Sequence, residues 1–183
     1  MESLQGQLLI AAPELRDPNF SQTVVLLVRH NDEGALGLVL NRPLKVRLQE
    51  VWKQVGEAVC ARDDVIYLGG PCEGPLMALH DRVELSEADV PAGLCFSTDR
   101  AALSQLADDT KSQVRFFAGF AGWGAGQLES ELAEDSWLTT PATPAHVFDV
   151  FPDLWDKTFR EVKGREILGT LGIRGMPKDL RSN

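Results

Sequence analysis

The chain has 183 residues, 44% of them hydrophobic, and carries a formal net charge of −9 at pH 7. This apolar fraction excludes a disordered chain and suits the core of one domain. The longest aliphatic run, Val24–Val28, is far shorter than the ~20 residues that span a bilayer, so we expect no membrane segment.

Short apolar runs bounded by Gly, Pro or Asp predict strands along most of the chain. These runs are Gln7–Ala12, Thr23–Arg29, Leu36–Asn41, Val65–Leu68, Leu76–His80, Leu94–Ser97, Val114–Phe120 and Trp137–Thr140. Apolar residues at helical spacing predict four helices, near 48–55, 102–106, 128–132 and 154–162. This order lacks the regular alternation of a parallel doubly wound sheet. We therefore predict a single α+β domain with a mixed, largely antiparallel sheet.

The carboxyl-terminal end differs from the rest of the chain. From Ile167 onward the apolar pattern becomes irregular. Residues 157–183 hold seven basic and three acidic residues, a balance of +4, which leaves −13 on residues 1–156. We predict one domain over 1–165 and an irregular basic segment over 166–183 that complements the acidic body.

The acidic body should not bind DNA. Affinity for nucleic acid depends mainly on neutralising phosphates, and a charge of −13 over 1–156 repels them. In an electrophoretic shift assay at physiological salt we expect no sequence-selective binding to duplex DNA. Submicromolar, sequence-selective binding would contradict this prediction.

The cysteines and the amino terminus favour a cytoplasmic protein. Cys60, Cys72 and Cys95 are odd in number and form no CxxC pair, which argues against a disulfide framework or a zinc knuckle. The first residues, MESLQG, include an acidic residue and no basic one, whereas a secretory signal begins with a basic region. We therefore expect reduced thiols in a cytoplasm.

Two neighbouring strands are predicted to form a hairpin. TVVLLVRH and ALGLVLNR flank the turn-like NDEG, so that His30 would lie opposite Ala35 and Val24 opposite Asn41. At about 3.3 Å per residue, His30 and Asn41 are then roughly 20 Å apart. Asn41 and Arg42 should instead lie beside the loop 17–20.

The stretch FAGFAGWGAGQLESEL places glycines at 119, 122, 124 and 126. A P-loop requires Lys after its last glycine, whereas Gln127 follows Gly126 here. The spacing also differs from the dinucleotide fingerprint, and the acidic residues that follow compete with an anion. We therefore predict a backbone bend that docks a helix, and leave open a site for an uncharged ligand. The helix should begin near Gly126 and bury Leu128 and Leu132, while its carboxylates face solvent. A valine at Gly122 or Gly124 should cost roughly 1–3 kcal/mol.

Other polar and glycine-rich segments allow two interpretations. Gly69-Gly70-Pro71 is typical of a turn, although its N–H groups could also bind an anion. Arg42 could neutralise a ligand carboxylate or phosphate, or pair internally with Asp17. The candidate ligand-binding residues are Asn41, Arg42, Gly69, Gly70, Pro71, Trp123 and Gln127.

No pattern of catalytic residues is present in the sequence. There is no GxSxG elbow, and an apolar strand separates Cys72 from His80, which could otherwise form a thiolate pair. The three histidines show neither HxH nor HExxH spacing. We therefore predict no catalytic residue, no metal site and no cofactor.

Three segments together resemble the AlgH/YqgE family of bacterial cytoplasmic proteins. They are LLIAAPELRDPNFSQTVVLLVRHNDEGALGLVLNRP, YLGGPCEGPLMALH and FAGFAGWGAGQLESELAEDSWL. The resemblance covers about Leu8 to Val150 and implies a compact α+β domain with a bent sheet that forms a pseudo-barrel, with helices around it. Some members carry the label of transcriptional regulator through links to alginate production. The resemblance supplies no catalytic set or cofactor.

We interpret the chain first as a non-enzymatic protein with a regulatory or binding role, whose partner is a protein or a small molecule. The alternative is a small-molecule binder or an enzyme, with a cleft near Asn41, Arg42, Gly69–Pro71 and Trp123. A third possibility, a DNA-binding regulator, is disfavoured by the acidic charge and by the lack of a basic recognition helix.

Overall fold

Ten strands and five α-helices are present in the computed structural model, which describes residues 2–54 and 60–170. The strands are β1 Gln7–Ala11, β2 Val24–Asn31, β3 Gly34–Val39, β4 Pro43–Arg47, β5 Val65–Leu68, β6 Cys72–His80, β7 Ala88–Val90, β8 Leu94–Ser97, β9 Val114–Gly124 and β10 Trp137–Pro141. The helices are α1 Leu48–Gln54, α2 Arg100–Asp108, α3 Gln127–Ala133, α4 Pro144–Phe148 and α5 Leu154–Thr170.

The strands form one curled sheet in the order β10-β1-β2-β3-β9-β6-β8-β7, with every neighbouring pair antiparallel. β5 adds to β9 in the parallel direction, and β4 pairs with β5. The sheet is thus mixed and largely antiparallel, and it closes into a half-barrel with the helices packed around it. This confirms the predicted fold class.

Both faces of the sheet are covered. Along β2, Val24 and Leu26 pack into one apolar cluster with Phe117, while Val25 packs into another with Trp123. A third cluster lies under α1 and α2 and is centred on Phe116. The apolar run of β2 is therefore buried at both parities, as its sequence predicts.

The β2–β3 hairpin confirms the predicted pairing of His30 with Ala35. The predicted pairing of Val24 with Asn41 is wrong by one residue, because a bulge at Val28 shifts the register. Leu40 N donates to Val24 O at 2.8 Å instead. The Asn41 side chain closes the end of the ladder, where its Oδ1 accepts from Val24 N at 3.0 Å.

β9 bends at Gly119, which has φ +73°. β5 pairs with residues 116–118 before the bend and β3 with residues 121–124 after it, while the pairing with β6 extends across the bend to Phe120. A Cβ built on Gly119 would lie 2.9 Å from both Cys72 O and Gly70 O, and one on Gly69 would lie 2.2 Å from Gly119 O. The two glycine-rich segments therefore cross in backbone contact, which confirms the predicted bend and leaves no room for a phosphate between them.

The predicted cost of valine is not supported by the packing at Gly124, and at Gly122 it stays a prediction that depends on how far the Phe120 ring can move. A Cβ on Gly122 would meet the Phe120 ring at 3.3 Å, and one on Gly124 would meet nothing closer than 4.0 Å. Both positions lie in extended strand, which accommodates valine well. Gly119 is the glycine of this segment that combines a positive φ with close backbone contacts.

α5 is longer than the sequence predicts. The helix continues to Thr170, so 166–170, which we expected to be irregular, are helical. Thr170 Oγ1 donates to Glu166 O at 2.9 Å, and Gly169 weakens a helix by about 1 kcal/mol without breaking it as proline would. Residues 171–183 lie outside the described residues, and the division of the chain at 165 stays a prediction.

Candidate functional site

Several of the predicted ligand-binding residues meet at one small cavity. This Arg42 cavity has a volume of about 170 Å³ and is lined by Pro18, Asn19, Val39, Arg42, Leu68, Gly70 and Pro71. Arg42 Nη2 donates to Ser21 O at 2.7 Å, and Asn41 Nδ2 donates to Gln22 O at 2.9 Å. The predicted position of Arg42 beside the 17–20 loop is confirmed, because it shares the lining with Pro18 and Asn19, whereas Asn41 bonds residues 22 and 24, just after that loop. Arg42 bonds a carbonyl rather than the Asp17 carboxylate.

Gly69 does not line the Arg42 cavity, because the sheet uses its backbone groups. Its N donates to Ala118 O at 2.9 Å, and its O accepts from Val39 N at 2.8 Å. The structure therefore brings Arg42, Gly70 and Pro71 together and places Gly69 behind them.

The remaining candidates, Trp123 and Gln127, lie elsewhere, around the carboxylate of Glu131. Glu131 Oε2 accepts from Trp123 Nε1 at 2.9 Å and from Trp137 Nε1 at 2.8 Å. Gln127 Nε2 donates to Glu131 Oε1 at 3.1 Å, and Phe20 stacks on Trp123 with ring centroids 5.9 Å apart. These contacts fix the start of α3 on the sheet.

The carboxylates of α3 were expected to face solvent, which is wrong for two of them. Glu131 bonds both tryptophans, and Glu129 Oε1 lies 2.7 Å from His30 Nε2. The helix follows Gly126 and buries Leu128 as predicted, while Leu132 is only partly buried. Spacing alone placed the acidic residues near the helix start but could not show that tryptophans from two strands reach them.

His80 and Ser97 lie 3.0 Å apart, from Nε2 to Oγ, and both are fully buried. His80 Nδ1 accepts from Arg82 N at 3.2 Å, so Nε2 carries the proton and donates to Ser97. The Ser97 hydroxyl in turn donates to Leu85 O. A base that activates serine must accept the hydroxyl proton. Here the histidine donates its proton to the serine instead, so the hydrogen bond is structural.

Acidification should destabilise the protein through its buried histidines. Burial lowers the pKa of His80 and of His146 below the ordinary value near 6.5. The folded protein favours the neutral form of both histidines, and the stability that results is complete above pH ~6.5. This stability is lost as the pH falls from there through the folded-state pKa values. Urea midpoints should therefore decrease from pH 7.5 to pH 5.5.

His80→Gln tests this assignment, since its amide can still donate to Ser97 but cannot take up a proton. The variant should show a smaller decrease between pH 7.5 and pH 5.5 than the parent protein. An unchanged decrease would show that His80 does not contribute to the pH dependence.

The cysteines do not form a reactive site. Burial raises the pKa of the Cys60 and Cys95 thiols, which lowers their thiolate fraction and their reactivity. Cys72 and His80 lie at opposite ends of β6, about 26 Å apart in an extended strand.

Within residues 2–54 and 60–170 there is no group of three His, Cys, Asp or Glu side chains placed to hold a metal ion. No helix in the same part of the chain has the length and apolarity needed to cross a membrane.

A larger cavity of about 570 Å³ lies beside the β4–β5 pair and the start of β9. We call it the arginine cavity. Its lining consists of Pro43, Arg47, Arg62, Asp63, Asp64, Val65, Tyr67, Ser112, Gln113, Val114, Arg115, Phe148 and Val150. Three cations thus face two carboxylates, in a protein whose net charge is −9.

Arg115 is the most buried cation of the arginine cavity, with 7% of its surface exposed. Its guanidinium lies 4.3 Å from the centroid of the Tyr67 ring. Nη1 donates to Leu40 O and Nη2 to Asp149 O, both at 3.2 Å. Burial lowers the pKa of Arg115 from its ordinary value, because these carbonyls replace water without supplying a full negative charge.

Arg62 forms the second wall of the arginine cavity. Nη1 lies 3.1 Å from Asp64 Oδ2, and Nη2 donates to Ser112 O. Nε is buried and has no hydrogen-bond partner. Arg47, the third arginine of the cavity, lies at its exposed rim, where Nη1 donates to Asp63 O at 2.8 Å.

Sequence reasoning missed the arginine cavity. The available signal was Arg115 itself, a charged residue inside the apolar run VRFF with the same parity as the buried Phe117. Such a position predicts a buried arginine, which is rare unless it is paired.

Comparisons with known proteins agree over nearly the whole chain. The AlgH-like family matches residues 8–166. A UPF0301 protein of Myxococcus xanthus is 42% identical over 165 residues, which cover 87% of this chain and 91% of that protein. The UPF0301 protein AlgH of Pseudomonas aeruginosa is 42% identical over 158 residues, 82% of this chain and 83% of that protein.

Two solved structures have the same fold. The solution structure of the AlgH protein from Pseudomonas aeruginosa has a TM-score of 0.75 and 36% identity, with 96% of each chain covered. The crystal structure of a protein from Corynebacterium diphtheriae has a TM-score of 0.70 and 25% identity, with 88% of each chain covered.

Proposed function

The chain belongs to the AlgH-like family, and we propose that it is a non-enzymatic, cytoplasmic binding protein with a regulatory role. Its ligand is a small molecule held in the arginine cavity. The three cysteines are free thiols, which suits a reducing cytoplasm.

The separation of the histidines and cysteines from the arginine cavity is the observation that carries this proposal. Among the described residues that line the cavity there is no histidine or cysteine. His80 is buried in a bond of the wrong direction for serine activation, and His30 is held by Glu129. The cavity therefore offers charge and shape for binding, while the groups best suited to acid–base or nucleophilic chemistry stabilise the fold.

The position of the arginine cavity suits a regulatory role. Phe148 and Val150 form part of its wall, and Val150 is 77% exposed. Asp149 between them accepts from Arg115. A ligand that fixes the conformation of this segment would change the surface that a partner protein contacts. Ligand binding could then alter the affinity for that partner without any catalysis.

A thermal-shift screen with recovery of the ligand tests the proposed function. Nucleotides, sugar phosphates and dicarboxylates are added singly, and each hit is recovered and weighed by mass spectrometry. At a ligand concentration of 100 times Kd we expect stabilisation by about 2.7 kcal/mol, which corresponds to a rise in Tm of roughly 5–10 °C for a chain of this size. The recovered ligand should be unchanged, and protein-dependent conversion of it would contradict a non-enzymatic role.

The Arg42 cavity is the second candidate site, because it joins Arg42 to Gly70 and Pro71 as the sequence predicts. Its volume of about 170 Å³ is below the roughly 300–1,000 Å³ of ordinary ligand pockets, so it suits a small ion or fragment. Arg42→Gln in the same screen separates the two sites. Loss of the Tm shift in this variant would assign the ligand to the Arg42 cavity.

A further inference from the structure

The arginine cavity contains a buried donor that the fold leaves unused. Arg62 Nε has no hydrogen-bond partner, although the two other nitrogens of the same guanidinium are bonded. A buried donor without a partner costs about 1–3 kcal/mol, and native proteins contain few of them. Ser112 Oγ, in the same lining, is also buried without a partner, so this wall of the cavity holds polar groups that the fold leaves unsatisfied.

The charge balance of the arginine cavity indicates the sign of the charge on its ligand. Asp64 pairs with Arg62, whereas Arg47 donates to the backbone carbonyl of Asp63 and not to its carboxylate. The lining holds three arginines and two aspartates, an excess of one positive charge. Arg115 forms its two hydrogen bonds with neutral carbonyls and belongs to none of the ion pairs within the described residues. The Asp149 carboxylate attracts Arg115 but does not offset the desolvation of its charge, and a bound anion would reduce that cost.

We infer that the arginine cavity is an anion-binding site for the phosphate or carboxylate group of a small molecule. This inference rests on the proposed function and names the class of its ligand. The planar fork of a guanidinium binds either group through paired hydrogen bonds. Arg62 and Arg115 hold the anionic group, and Arg47 faces it from the rim.

The other residues that line the cavity indicate the chemistry of the uncharged part of the ligand. Tyr67, Val114 and Phe148 are apolar or aromatic and surround the cations. The volume of about 570 Å³ is in the range of small-molecule pockets and admits a ring together with its anionic group. The ligand is therefore a small molecule with an apolar or ring-shaped body and one charged end.

Three probes of matched shape test this inference: phenyl phosphate, benzoate and uncharged benzamide. Each is titrated into protein labelled with ¹⁵N at arginine, and the Nε–H signals are followed by NMR. At least one of the two anions should shift the Arg62 and Arg115 signals to saturation, and benzamide should not. The two anions distinguish a phosphate ligand from a carboxylate ligand. Equal binding of benzamide would overturn the inference.

Variants locate the bound anion. Arg115 also holds two backbone carbonyls, so the deciding variants are Arg62→Met and Arg47→Met, with Arg160→Met as the control for an exposed charge outside the cavity. Arg62→Met should weaken anion binding at least about tenfold, as expected for one charged hydrogen bond, and Arg47→Met less. The control should bind as the parent protein does, and the folded state of each variant is checked by its amide spectrum. Parent-like affinity in Arg62→Met would place the anion elsewhere.

Phenyl phosphate also separates failure of this inference from failure of the proposed function. Release of phenol by the protein would contradict the non-enzymatic role while the anion site remained. Absence of any Nε shift with both anions would contradict the anion site, and the wider ligand screen would still test the binding role.

Discussion

Gly119→Ala is expected to reduce the free energy of unfolding by about 2–5 kcal/mol. The left-handed backbone conformation costs an alanine about 1–2 kcal/mol. The new Cβ would also lie 2.9 Å from Cys72 O and Gly70 O, and crowding of this kind costs about 1–3 kcal/mol. Since total stability is usually about 5–15 kcal/mol, urea unfolding at pH 7.5 should show the loss clearly.

Gly126→Ala is the matched control, because Gly126 has φ +76° but no atom within 4 Å of a built Cβ. It should lose only the conformational part, about 1–2 kcal/mol. Gly124→Val, in extended strand, should be nearly neutral. Equal losses in the two alanine variants would show that the crossing of the glycine segments does not constrain the fold.

Glu131→Ala is expected to cost about 3–6 kcal/mol. Its carboxylate is the acceptor for the indole N–H groups of Trp123 and Trp137, and both tryptophans are buried. Each hydrogen bond to a charged group contributes about 1.5–3 kcal/mol, and each orphaned donor adds a desolvation cost. The tryptophan emission spectrum should also shift, because the two indoles lose their common partner.

Glu134→Ala provides the control for Glu131→Ala. Glu134 terminates the same helix and is exposed, so its replacement should change stability by no more than about 0.5 kcal/mol. Similar losses in the two variants would mean that the negative charge near α3 matters rather than the bonds to tryptophan.

Local sequence patterns predicted the main strands and four of the helices, because each buries a periodic apolar face. They did not predict β4 and β7. β4 is mostly exposed and β7 has only three residues, so neither shows the alternation that marks a half-buried strand. α4 was also missed, since its five residues are too few to display a helical period.

Register and side-chain partners were less predictable than the elements. The bulge at Val28 moved the far end of the β2–β3 hairpin by one residue, and no residue type at that point signals it. Glu131 was expected in solvent, and only the three-dimensional approach of β9 and β10 gives it two tryptophan partners.

The arginine cavity could not be assembled from the sequence, because its cations come from distant segments. Arg47 ends β4, Arg62 precedes β5, and Arg115 lies near the start of β9. A parallel pairing of β5 with β9 brings them together, and no short motif records such a pairing. The Arg42 cavity was more accessible to prediction, because the hairpin register sets the end at which Arg42 lies.

The position of a bound oxyanion tests the proposed binding role most directly. Crystals soaked in tungstate, a tetrahedral oxyanion with strong anomalous scattering, would show where the protein concentrates negative charge. We predict one dominant anomalous peak in the arginine cavity, with tungstate oxygens within hydrogen-bond distance of the guanidinium groups of Arg62 and Arg115. A dominant peak in the Arg42 cavity, or none within reach of Arg62 and Arg115, would contradict the anion site.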